Sequence, residues 1–128
     1  MEVVLGREGS YLDWPDAAVG PGGEPHLACA SHGREGSVVE VWALAGPGAR
    51  RVWSSRQMDG LVWPRIAPAP RAGGLAVAAW TQGTGASAVT VLFPGSDRSA
   101  HVAGMAEPCL ASPAGGPVFL VGRIDETS

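Results

Sequence analysis

An all-β fold follows from three observations on this 128-residue chain. Nineteen glycines and eleven prolines punctuate it so densely that only one run free of both exceeds ten residues, residues 49–59. Both residue types are costly inside helices, so almost no room for a helix is left. The segments between the punctuation have strand length and are rich in Val, Trp and Leu. Finally, "SVVEVWALA" puts Val39, Val41 and Ala43 on one face and Val38, Glu40, Trp42 and Leu44 on the other. Both faces are largely apolar, which predicts strands covered on both sides.

In chain order the predicted strands are "PHLACAS", "SVVEVWALA", "RRVWSS", "GLAVAAWTQ", "AVTVLF", "SAHVAG" and "PVFLVG". One phrase recurs among them: "WPDAAVGPGGEPHLACAS" from Trp14, "WPRIAPAPRAGGLAVAAW" from Trp63 and "EPCLASPAGGPVFLVG" from Glu107. Each copy has a proline (Pro15, Pro64, Pro108), a short apolar segment, a glycine pair and then a longer apolar strand. The first two copies continue into a third and a fourth strand. Self-similarity at this spacing is the signature of a repeat architecture.

Four strands in a unit of roughly 40 to 50 residues resemble a β-propeller blade. The proline-led opening, glycine turn and apolar strand ending in Trp are similar to sialidase-like and related propeller repeats. The resemblance implies one domain over residues 1–128, with blades at approximately 15–63, 64–107 and 108–128, the last completed by 1–14. Three blades are too few for a ring, so the resemblance also implies a homodimer or higher oligomer that closes one. The Asp-box of sialidases and the signature of WD repeats are absent, so no catalytic residue carries over. A small β-sandwich or barrel is the alternative fold.

A hydrophobic content of 45% with 16% charged residues is enough for a buried core. The net charge of -3 gives no electrostatic reason to expect nucleic acid or an anionic membrane. No window approaches a membrane span and the N-terminus lacks the pattern of an export signal, so a cytoplasmic protein is expected. Cys29 and Cys109 have no zinc-like spacing and read as free buried thiols; no metal or cofactor is expected.

In a propeller, the loops before the first strand and between the second and third share one face. That geometry places Asp13, Trp14, Trp63, Arg65 and Glu107 on the first loop type. It places His32, Arg34, Glu35, residues 80–84 and residues 123–126 on the second. The expected ligand site is therefore Trp14, Trp63 and Trp80, with Arg34, Arg65, Gln82 and His32 as polar partners. Aromatic faces beside arginine suit a lectin-like site, because sugar C–H faces stack on rings while hydroxyls take directional hydrogen bonds. The expected partner is a glycan, small molecule or peptide. Packing between blades is the competing role for each Trp-Pro pair, and Trp42 and Trp53 read as packing residues. No nucleophile elbow, zinc-helix motif or phosphate loop is present. The enzymatic alternative is a hydrolase or cyclase using His32 or a carboxylate among Asp13, Asp16, Glu107 and Asp125 at a channel mouth. "GREGS", at residues 6–10 and 33–37, reads as a tight polar turn.

Overall fold

The computed structural model describes residues 11–82, 86–113 and 116–124. The protein is all-β, as expected. Its strands are β1 (Tyr11–Val19), β2 (Pro25–Gly33), β3 (Gly36–Ala45), β4 (Gly48–Ser54), β5 (Leu61–Ala69), β6 (Gly74–Gln82), β7 (Ser87–Leu92), β8 (Ser99–Ala103), β9 (Met105–Ala111) and β10 (Phe119–Ile124). Three antiparallel sheets result, ordered β1-β2-β3-β4, β5-β6-β7-β8 and β10-β9. Among the described residues the one helical element is a 3-10 turn over Pro70–Ala72. None of their helices is long and apolar enough to cross a membrane. The expected pairing of the N-terminal residues with the C-terminal strand lies outside the described residues.

Local sequence explains the hairpins. Gly33 pairs with Gly36, so Arg34 and Glu35 form a two-residue turn, the tight turn read from "GREGS". Gly36 has φ 129, and a Cβ there would lie 2.5 Å from the carbonyl oxygen of Met58. Only glycine fits, because the adjoining Ser37 exchanges both backbone hydrogen bonds with Met58 (2.8 and 2.7 Å).

The Trp-Pro and Glu-Pro pairs depart from expectation: they sit inside strands rather than in loops. β1 and β5 each pair on one side only, and a proline with no N–H is tolerated on such an edge. In β1 the ladder skips from Asp13↔Ala30 to Asp16↔Ala28, so Trp14 and Pro15 together oppose Cys29. In β9 it skips from Ala106↔Arg123 to Cys109↔Val121, so Glu107 and Pro108 oppose Gly122. Both are bulges that open with a left-handed residue, Trp14 at φ 51 and Glu107 at φ 52. β5 passes Trp63 and Pro64 without a break.

Sheet faces alternate and pack in series. Ala28, Ala30, Val39 and Val41 of the first sheet meet Val62, Ile66, Leu75, Val77 and Ala79 of the second. The opposite face of the second sheet, with Ala78, Trp80, Val89 and Val91, meets Met105, Leu110 and Leu120 of the third. Asp16 adds a polar tie, its carboxylate accepting from the Ile66 N–H at 2.9 Å. Glu40, fully buried on the far face of β3, accepts from Trp42 Nε1 (3.3 Å) and Arg51 (3.2 Å). Those two donors make burial of a carboxylate tolerable.

Two serines lock each sheet to the next. Ser37 Oγ donates to the Gly60 carbonyl (2.6 Å), at the entry to β5. Ser87 Oγ donates to the Met105 carbonyl (2.8 Å), at the start of β9. Gly36→Ala, which drives a Cβ into the Met58 carbonyl beside the first lock, should cost about 1–3 kcal/mol of stability in urea titration.

Candidate functional site

Residues from the first strands of all three sheets line one cleft of about 540 Å³: Trp14 and Pro15, Trp63 to Arg65, and Glu107 to Cys109, with Trp80 of β6 beside them. The bulges explain why β1 and β9 contribute here. Each bulge turns its strand locally and re-aims the residues on either side of the proline.

The indoles form a continuous row. Trp14 and Trp63 have ring centroids 4.6 Å apart at 46°, and Trp63 and Trp80 are 4.9 Å apart at 36°. Trp63 and Trp80 are direct cross-strand partners, whereas Trp14 reaches across from the first sheet. Each contact contributes about 0.5–1.5 kcal/mol beyond area burial, so the row also joins two sheets. The same three indoles thus pack one sheet on the next and line the cleft.

A hydrogen bond holds one end of the row and a ring contact the other. Trp80 Nε1 donates to Ser87 Oγ at 2.7 Å, and that hydroxyl passes its own proton to Met105. At the other end His32 stands edge-on to Trp14 at 5.3 Å, with Nδ1 2.6 Å from Ser37 Oγ. The single Ser37 proton goes to Gly60, so the network assigns the His32 proton to Nδ1. His32 Nε2 is buried without a hydrogen-bond partner, 3.8 Å from Asp13 Oδ2.

Asp13, His32 and Ser37 are three members of a nucleophilic constellation in type but not in geometry. Ser37 is buried and its proton is committed to a backbone carbonyl, so it cannot attack a substrate. Two of the carboxylates have basic or backbone partners of their own. Asp16 serves Ile66 and lies 3.9 Å from Arg65, while Glu107 pairs with Arg123 at 3.3 Å. Asp125 lies outside the described residues.

Of the expected ligand residues, the structure brings Trp14, Trp63, Trp80 and Arg65 into the cleft, with His32 supporting it through Trp14. Arg34 stands apart, in the β2–β3 turn on a shallower hollow with His32 and Glu35. Gln82 ends β6, exposed and outside the cleft lining. The ligand residues taken as loop positions are mostly strand residues. Sequence reasoning missed the three prolines and Cys109 as lining residues. The signal was present, since the repeat prolines fall at equivalent positions. Cys109, expected to be buried, is exposed, because it follows the bulge and faces away from the core. No family model, curated protein or solved structure matches the chain.

The two free thiols should behave differently. Burial pushes the Cys29 thiol up to about 11, so it stays protonated and unreactive at pH 8. In dilute native protein iodoacetamide should modify one thiol, Cys109, and two after unfolding, as counted by mass spectrometry. Because the folded value is the higher, the stability held by protonated Cys29 is complete below pH 9.0 and falls as pH rises towards 11.

Proposed function

We propose that the chain is a non-catalytic binding module of propeller-like blades whose cleft takes a glycan or a small molecule with one flat apolar face. The observation that carries this reading is the meeting of all three repeat prolines, a row of three tilted indoles, Arg65 and Glu107 in one cleft. A sugar ring lays its C–H face along the indole row while its hydroxyls reach the guanidinium and the carboxylate. Centroid separations of 4.6 and 4.9 Å leave no slot between the rings, so the ligand lies along the row rather than in an aromatic cage.

Several internal likenesses support the blade reading. The first two sheets share strand order, and β1 and β9 share a bulge with the same left-handed residue. Gly60 (φ 76) and Gly104 (φ 77) occupy matching entries to β5 and β9. Ser37 and Ser87 make matching locks. The exposed unpaired thiol of Cys109 suits a reducing compartment such as the cytoplasm.

Trp14 is 39% exposed and closes the open end of the row, so Trp14→Ala should leave the fold largely intact. It should weaken binding about five- to 150-fold, the equivalent of roughly 1–3 kcal/mol of lost apolar contact. Titrating hexose and N-acetylhexosamine oligosaccharides against intrinsic tryptophan emission measures this. Equal binding by Trp14→Ala and the native chain would refute the cleft as the site.

A further inference from the structure

We infer that the outer face of the third sheet, with Cys109, Ala111, Phe119 and Val121, docks against the first sheet of a second copy of this chain, head to tail. The argument is positional. The residue after each repeat proline has a cross-strand partner: Asp16 pairs with Ala28, Arg65 with Ala78 and Cys109 with Val121. Ala28 is 0% exposed because the second sheet covers it, and Ala78 is 0% exposed where the third sheet covers the second. Val121, at the same position of the third sheet, is 63% exposed. Phe119, two residues away on the same face, is 51% exposed, and its partner Ala111 is exposed too.

The first sheet carries the complementary surface. Ala28 and Val41 are paired and face the second sheet, so alternation turns the next pair, Leu27 and Trp42, the other way. On that face the pair Cys29 and Glu40 is buried, and Leu27, Val38, Trp42 and Leu44 around it are half-buried and offer the contact rim. In the second and third sheets the face on this side is the one that covers the preceding sheet. Among the described residues no further sheet packs beyond the first or beyond the third. A second copy supplies both missing surfaces and continues the internal packing across the boundary. The two surfaces differ, so the contact is heterologous.

Light scattering at tens of micromolar should give a discrete multiple of the chain mass, about twice it for a dimer; a monomer overturns the proposal. Val121→Glu and Leu44→Glu should each reduce association, with circular dichroism unchanged. Mixing the two variants should restore a dimer, since each retains the surface the other lost. Association that survives Val121→Glu overturns docking through the third sheet, and association that survives Leu44→Glu overturns the head-to-tail arrangement. The native chain gives an independent reading without substitution. Alkylation of Cys109, directly opposite Val121, should slow several-fold as protein concentration rises; a concentration-independent rate overturns the proposal. Cys109 also lines the cleft, so its alkylation is read with no ligand added, while Val121 and Leu44 lie outside the cleft lining and their scattering readouts let the docking surface and the binding site fail or stand separately.

Discussion

A proline has no amide hydrogen to give, and three of them in the middle of β1, β5 and β9 decide which strands stand at sheet edges. A central strand must donate on both sides, so a chain with Pro15, Pro64 and Pro108 at these places can only put them where one side is open. The consequences run outward from that constraint. The side chains flanking the prolines look into the space where the three edges meet, and two of the three edges answer the missing donor with a bulge. The same backbone limit that orders the sheets therefore builds the cleft.

Much of this could be read from the chain itself. Glycine and proline spacing locates the strands because both residues break regular ladders, and seven predicted strand segments coincide with β2, β3, β4, β6, β7, β8 and β10. The meeting of Trp14, Trp63 and Trp80 was legible because the first two precede prolines at equivalent places and the third ends the strand that follows the second of them. Arg34 and Gln82 lie outside the cleft lining, since sequence proximity to a turn does not fix which hollow a side chain borders. The left-handed conformations of Trp14 and Glu107 had no composition signal, since neither is Gly, Asn or Asp. The Ser37 and Ser87 locks were also invisible, because a serine beginning a strand is ordinarily a solvent-facing residue.

Side-chain size sets how the layers fit. The facing surfaces are mostly Ala and Val, which let neighbouring sheets come close, and larger side chains gather at the margins of each core. Trp53 and Met58 close one margin, Trp80 and Phe93 the other. Three of the five buried polar residues among those described tie parts of the fold together. Ser37 and Ser87 join consecutive sheets, and Glu40 holds Trp42 and Arg51 on the far side of the first. Removing any of these would leave a desolvated acceptor or donor behind, which costs more than the hydrogen bond itself contributes.

The indole row has an optical meaning as well as a mechanical one. Three identical chromophores with centroids 4.6 and 4.9 Å apart, inclined at 46° and 36°, cannot absorb independently. Their transition dipoles couple, and because the row is chiral the coupled states rotate light with opposite signs. The native protein therefore carries its own exciton couplet in the aromatic circular dichroism. Only the Trp14–Trp63 coupling crosses the junction between the first and second sheets, so parting those sheets leaves the Trp63–Trp80 pair, which lies within the second sheet, and changes the couplet even if each sheet keeps its strands.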